Sequence, residues 1–148
     1  MQAPFFKALG FDISALYGGT LNVSIAPLRY RVVKPRHTFK KVKWHPTEPA
    51  EDFSFFDVRL IRPGKTPVSG FIYFPHPETK PEHFQAPDVL ELLLPFTPNL
   101  RYGTKLKLEI PAGQMLIVAR QMLANQSRRK ATAAPIKRTG TYRQPCSK

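Results

Sequence analysis

Proline is spread along almost the whole chain, and it limits the folds that the chain can adopt. Sixteen of the 148 residues are proline, at positions from 4 to 145. Proline lacks a backbone N–H and disrupts helix interiors, so the segment from Pro27 to Pro111 does not favour a long helix. The stretches between its prolines are short, and many are rich in β-forming residues. The pattern predicts a chain built mainly of strands.

Six segments between these turns have the length and composition of strands. Lys105–Ile110 alternates polar and apolar residues strictly, the pattern of a half-buried strand. Short strands separated by proline and glycine are typical of small sandwiches and barrels, so we expect a single mainly β domain over residues 1–113. The predicted strands are Leu21–Ala26, Leu28–Val33, Phe53–Ile61, Val68–Phe74, Val89–Leu94 and Lys105–Ile110.

The charge balance is strongly basic. Lys and Arg total 23 against 10 Asp and Glu, a formal net charge of +13. This excess predicts polyanionic partners, and nucleotide phosphates, nucleic acid or an anionic membrane all qualify. Of these we expect the first two and no membrane partner. No apolar run approaches the roughly 18 residues that span a bilayer. The single cysteine, Cys146, excludes a disulfide framework and a cysteine metal cage, and a cytoplasmic protein is the expectation.

The C-terminal residues differ from the β domain in pattern. Apolar residues recur with helical spacing between Met115 and Gln126, which predicts a helix over residues 114–126. From residue 127 onward the chain has almost no large apolar side chain. Such a segment cannot bury enough surface to offset its ordering entropy, so residues 127–148 are predicted to form a disordered basic tail.

The segment Tyr17–Val23 is the most informative motif. Gly18 and Gly19 permit positive φ and a close approach of the backbone to an anion. Thr20 and Asn22 alternate around an apolar residue, so both oxygens project to one side of an extended chain. Two neutral oxygens beside nucleotide phosphates would suit Mg²⁺. The alternative is a Gly-Gly turn that leads into a strand.

Glu91 places one carboxylate within an apolar strand, Val89–Leu94. A buried carboxylate is costly unless it is paired or hydrogen-bonded. In this position it could accept hydrogen bonds from a bound heterocycle or a hydroxyl group. The alternative is a strand that faces solvent on the side of Glu91.

The turn Asn99-Leu100-Arg101 follows this strand across Pro98. Exposed backbone amides in such a turn can bind the edge of a nucleobase. The alternative is a simple connection with a solvated arginine, which is the usual role of a surface turn.

Basic residues are interleaved with aromatic ones between Arg29 and Trp44. This segment could bind single-stranded nucleic acid by stacking and phosphate contact, or it could be a solvated hairpin. The four histidines, at positions 37, 45, 76 and 83, lack the close spacing of metal ligands.

These motifs occur in an order that resembles a known family, the archaeal-type CTP-dependent riboflavin kinases. The resemblance covers about residues 5 to 111. It implies a six-stranded β-barrel with a cradle-like loop, which transfers a phosphoryl group from CTP to riboflavin to give FMN. The segments that carry it are Leu9-Gly10-Phe11, Gly19–Val23, Gly70–Ile72, His83, Asp88–Pro95, Asn99-Leu100-Arg101 and a final alternating strand.

The resemblance also implies the roles of individual residues. Thr20 and Asn22 would bind Mg²⁺. Glu91 would be the catalytic base and a flavin contact, and His83 a second flavin contact. The implied nucleotide-binding residues are Gly18, Gly19, Asn99, Leu100 and Arg101.

The chain departs from the family pattern in three places. The family's first strand and Gly-rich phosphate loop would precede Met1, the flavin-binding threonine falls near Pro81, and the segment before Gly19 is longer. The basic tail is also outside the pattern. A second hypothesis therefore stays open, a non-enzymatic β-barrel module that binds nucleotides or nucleic acid through residues 29–44 and the tail.

Overall fold

The computed structural model describes residues 3–80 and 86–119, and the backbone of residues 136–143. These residues form one short helix and nine strands, which confirms the prediction of a mainly β chain. No helix in this part of the chain is long and apolar enough to cross a membrane. The elements are α1 (Ala3–Ala8), β1 (Leu21–Ser24), β2 (Leu28–Val32), β3 (His37–Val42), β4 (Glu51–Ile61), β5 (Val68–Pro75), β6 (Val89–Leu93), β7 (Lys105–Ile110), β8 (Met115–Ala119) and β9 (Ile136–Arg143).

The strands pair in two sheets. Seven form one sheet in the order β3-β4-β5-β6-β1-β9-β7, and β2 pairs with β8 in a second sheet. The longest strand, β4, pairs with β5 along most of its length and with β7 through Arg59–Ile61. All six predicted strands are present. The expected six-stranded barrel is not reproduced, because seven strands enter the large sheet and two more form a sheet of their own.

The predicted helix over residues 114–126 is wrong for its first part. Met115–Ala119 is strand β8, which runs antiparallel to β2 with Met115 opposite Val32. A short apolar run is compatible with a helix and with a buried strand. Here the segment forms a strand because it pairs with the edge of β2. The Gln114 side chain fixes the start of β8, because it accepts a hydrogen bond from the Asp57 N–H and donates one to the Asp57 carboxylate. Residues 120–126 lie outside the described part.

The prediction of a disordered tail is wrong for residues 136–143. They form β9, which pairs with β7 on one edge and with β1 on the other. Composition alone misses this strand because backbone ladder hydrogen bonds on two edges require no apolar side chains. Its register places Ile136 opposite Ile110 and Tyr142 opposite Val23, two core positions. The rest of the predicted tail lies outside the described residues.

An aliphatic core fills one side of the large sheet. It draws on alternate residues of several strands, including Val23, Phe56, Ile72, Leu92 and Leu108, all almost fully buried. Because side chains alternate along a strand, their sequence neighbours lie on the opposite face.

An aromatic cluster covers that opposite face. Helix α1 and the segment after it contribute Phe6, Phe11 and Ile13, and β4 contributes Phe53 and Phe55. The Phe6 ring packs edge-on against both rings of β4, with centroid distances of 5.3 and 5.0 Å. Burial of aromatic rings in this geometry is strongly favourable, so the N-terminal residues act as a lid on the sheet.

Gly70 marks the closest approach between neighbouring strands. A Cβ atom at this position would lie 2.1 Å from the carbonyl oxygen of Leu93 and 2.7 Å from a methyl carbon of Leu94. The first of these atoms belongs to the backbone of β6 and cannot rotate away. Glycine is therefore required where β5 packs against β6.

Replacing Gly70→Ala should lower the free energy of unfolding by roughly 2–3 kcal/mol, because β5 and β6 must move apart. Gly113→Ala is the matched control, since its Cβ would meet nothing within 4 Å. We expect that control to stay within about 0.5 kcal/mol of the parent protein. Urea denaturation measures both, and equal stability of the two variants would contradict the close approach.

Candidate functional site

The candidate site is built on three adjacent strands. Asn22 on β1 lies directly opposite Glu91 on β6, and Glu91 lies opposite Tyr73 on β5. Residues opposite each other on paired strands share a face, so these three side chains form a row across the sheet. Their sequence neighbours Leu21 and Leu92 belong to the aliphatic core. The row therefore lies on the face of the aromatic cluster.

Asn22 carries a buried acceptor. Its side-chain oxygen Oδ1 is shielded from solvent and has no hydrogen-bond partner among the described residues. An unpaired buried carbonyl costs about 1–3 kcal/mol, so such atoms in native structures call for an explanation. Arg143 pairs with Asn22 from β9 through the backbone. An acceptor held in this state can serve a cation or an N–H or O–H donor.

The residues present fit the Mg²⁺ that the family resemblance implies. Thr20 directly precedes β1 and is half-buried, so its hydroxyl and the Asn22 amide oxygen come from the same stretch of chain. Mg²⁺ takes oxygen ligands and is often held by a few protein groups together with substrate phosphates. No group of three or more His, Cys, Asp or Glu able to hold a metal occurs in the described ranges. A cation here would depend on the phosphates.

Glu91 is buried, with only 9% of its surface exposed. Of the two alternatives for this position, the structure shows the buried carboxylate, and the strand that faces solvent is wrong. Its charge acts on Tyr30 of β2. Burial raises the pKa of the Tyr30 phenol, and the Glu91 carboxylate raises that pKa further.

The Glu91→Gln variant should therefore lower the pKa of Tyr30, because a phenolate forms more easily when the neighbouring negative charge is gone. The pKa should stay above the ordinary value for tyrosine, because burial persists. Ultraviolet titration of tyrosinate measures the change, with Tyr30→Phe identifying the Tyr30 step. Glu109→Gln on β7 is the control and should leave it in place. An unchanged Tyr30 pKa in Glu91→Gln would show that the two groups do not interact.

The connection that contains Gly18 and Gly19 does not use the left-handed conformation that glycine permits. Positive φ occurs among the described glycines at residues 10, 64 and 103, and neither Gly18 nor Gly19 adopts it. Gly18 is exposed and Gly19 half-buried. Just before them, the Tyr17 N–H donates to the Leu94 carbonyl oxygen at 2.8 Å.

The turn at Asn99-Leu100-Arg101 is partly closed by its own hydrogen bonds. The Arg101 N–H donates to the Thr104 hydroxyl at 3.3 Å, and the Arg101 carbonyl accepts from the Thr104 N–H at 3.1 Å. Asn99 has a φ of 68°, a conformation that asparagine tolerates. Asn99 and Arg101 are exposed, whereas Leu100 packs against the aliphatic core. The turn presents two polar side chains, and its Arg101 amide is already used.

The structure brings several predicted site residues together. Asn22 and Glu91 are opposite each other. The hydrogen bond between Tyr17 and Leu94 connects the two predicted nucleotide-binding loops near the strands from which they emerge. His83 lies outside the described residues. A cavity of about 370 Å³ lies elsewhere on the same face, where it is lined by Asp57, Arg59 and Glu109 among others. The predicted residues do not line that cavity.

Sequence reasoning missed the exposed aromatic residues beside the two loops. Tyr17, Phe96 and Tyr102 expose 59%, 74% and 67% of their surface. Each of them adjoins a motif, since Tyr17 precedes Gly18, Phe96 follows Pro95 and Tyr102 follows Arg101. Their position next to the predicted ligand-binding loops could have indicated a role in binding. Their exposure could not be inferred from the sequence.

In the basic segment from Arg29 to Trp44, the aromatic rings predicted to stack with nucleic acid are packed against other parts of the protein. Phe39 belongs to the periphery of the aromatic cluster, and Tyr30 packs edge-on against Phe74. The Trp44 indole N–H donates to Glu51 at 3.0 Å. Most of the basic side chains are exposed, as expected of a solvated segment. The expected hairpin is wrong, because β2 pairs with β8 and β3 pairs with β4. Phosphate contact by these side chains remains a prediction.

Comparison of the chain with protein-family models, with curated proteins and with solved structures found no match in any of the three.

Proposed function

We propose that this protein is a riboflavin kinase-like phosphotransferase that uses CTP and Mg²⁺ to convert riboflavin to FMN. The observation that carries the proposal is the direct pairing of Asn22 with Glu91, with the buried Asn22 oxygen lacking a partner among the described residues. A neutral oxygen ligand and a carboxylate side by side can serve the two sides of a phosphoryl transfer. Phosphoryl transfer depends mainly on positioning and on neutralisation of phosphate charge.

Each residue has a distinct role in this proposal. Thr20 Oγ1 and Asn22 Oδ1 would hold Mg²⁺, which neutralises and orients the phosphates of CTP when it is bound. Glu91 accepts the proton of the riboflavin hydroxyl as that oxygen bonds to the terminal phosphorus. The bond between this phosphorus and the bridging oxygen breaks, and CDP leaves. Burial keeps the Glu91 carboxylate away from bulk water. A charge interacts more strongly with its neighbours in the protein interior than in water.

The nucleotide is assigned to the two loops at the end of β6. Gly18 and Gly19 lead into the Mg²⁺ ligands, and the exposed side chains of Asn99 and Arg101 lie in the loop that follows β6. The hydrogen bond from Tyr17 to Leu94 supports this assignment, because it holds the two loops together next to strands β1 and β6. His83 remains the proposed second flavin contact.

We also infer a cytoplasmic location, because a single cysteine among 148 residues excludes a disulfide framework.

A second candidate is a non-enzymatic module that binds nucleic acid. Its support is the group of exposed basic side chains on β2, on β3 and between them. These are Arg31, Lys34, Arg36, Lys40, Lys41 and Lys43. Because its aromatic residues are packed, this surface would bind through phosphate contacts alone, and the affinity would fall steeply with salt.

Incubation with riboflavin, CTP and Mg²⁺ should yield FMN, detected by chromatography, and chelation of Mg²⁺ should stop the reaction. Thr20→Ala and Asn22→Ala should each lower the rate at least about 100-fold, because the phosphate charge is no longer neutralised. Ser24→Ala, on the same face of β1, is the matched control and should retain activity.

The absence of FMN with either CTP or ATP would contradict the kinase proposal. Salt-sensitive binding to oligonucleotides, without binding of riboflavin or CTP, would instead select the second candidate. Denaturation curves of the two alanine variants show whether a lost activity reflects the site or the fold.

A further inference from the structure

Two exposed aromatic rings stand next to each other at the candidate nucleotide site. Tyr17 and Phe96 expose 59% and 74% of their surface, and their ring centroids lie 5.9 Å apart with planes inclined at 48°. Large apolar side chains with this exposure usually occur singly on a protein surface. A contacting pair from two different loops is a feature that calls for a ligand or a partner.

The pair is held at a fixed place in the fold. The Tyr17 N–H donates to the Leu94 carbonyl oxygen at 2.8 Å, two residues before Phe96. The backbone on both sides of the pair is therefore joined. Along the chain, Tyr17 leads directly to Gly18 and Thr20, and Phe96 leads to the turn at Asn99–Arg101. One ring of the pair thus adjoins each of the two loops to which the nucleotide is assigned.

The geometry of the rings decides how a planar group could bind. A ring inserted between two others needs them parallel and roughly 7–8 Å apart, since stacked carbon atoms lie about 3.5–4 Å from each other. The inclined rings at 5.9 Å leave no such gap. A planar ligand would therefore stack on the outer faces of the pair. We call the pair the Tyr17–Phe96 platform.

We propose that the Tyr17–Phe96 platform stacks with the base of the nucleotide. This inference rests on the proposed function and adds the residues that hold the base. Base–aromatic stacking is tolerant of base identity, because every base has a π face. An anionic ligand is favoured by the exposed Arg101 in the same loop as Phe96 and by the net charge of +13 on the whole chain. A nucleotide combines a planar base, which can stack on the rings, with phosphates, whose negative charge suits the basic surroundings.

The test compares two ligands, CTP and inorganic tripolyphosphate, in the presence of Mg²⁺. The variant carries Tyr17→Leu and Phe96→Leu, which keep apolar bulk and remove both rings. Its affinity for CTP should fall about 10-fold, the loss typical of one stacked base. Its affinity for tripolyphosphate, which has no base, should stay within about twofold. Calorimetric titration measures both affinities.

Two control variants separate stacking from general damage. Tyr17→Phe with Phe96→Tyr keeps both rings and should keep the parent affinity for CTP. Tyr102→Ala removes an exposed ring outside the platform and should also keep it. Proton NMR of CTP gives a direct readout, because stacking on the rings moves the cytosine signals upfield. That shift should be present in the parent protein and absent from the leucine variant.

The outcomes distinguish the platform from the kinase proposal. If CTP binds with the upfield shift and no FMN forms, the platform stands and the kinase proposal fails. If FMN forms while the leucine variant binds CTP as tightly as the parent protein, the platform inference is overturned alone. Loss of riboflavin affinity in place of CTP affinity would also overturn it, because the occupant would then be the flavin. Absence of CTP binding to the parent protein would overturn both.

Discussion

Burial of both faces of the central strands is the constraint on which the rest of the structure depends. Along β4, Phe53 and Phe55 enter the aromatic cluster while Phe56, Val58 and Leu60 enter the aliphatic core. Helix α1 is too short to be stable alone, and its packing on these rings both orders it and covers the sheet. A polar side chain on either face must then find a partner within the protein or a ligand. The few polar side chains on the covered face are therefore candidates for ligand binding.

The candidate site follows from that constraint. Asn22 and Glu91 lie on the same face as the aromatic cluster, at the strands farther from β4 in the sheet order. One provides a buried oxygen without a described partner, and the other a buried carboxylate whose charge reaches Tyr30. The loops that lead away from these strands carry exposed aromatic and basic side chains, joined through Tyr17 and Leu94. The groups that we propose to hold a cation, to accept a proton and to bind an anionic heterocycle thus occur in one region.

The sequence permits prediction of local features better than of features that depend on pairing. All six strands expected from proline spacing and alternation are present. The sequence left open whether Glu91 is buried or faces solvent, and the structure shows it buried. Strand β8 resembled a helix because Met115–Ala119 is too short to reveal its period, and β9 was missed because its stabilisation comes from neighbours on both edges. The pairing of Asn22 with Glu91 joins positions far apart in sequence, and register of that kind is set by the whole sheet.

The central claim is that a nucleotide binds where β1 begins and β6 ends. Amide NMR spectra recorded during titration with CTP and Mg²⁺ test it most directly. We expect the largest shift changes at Gly18–Asn22, at Glu91 and at Asn99–Arg101, with little change along β3. Shift changes confined to the basic residues between Arg29 and Lys43, or no change at saturating CTP, would contradict the account.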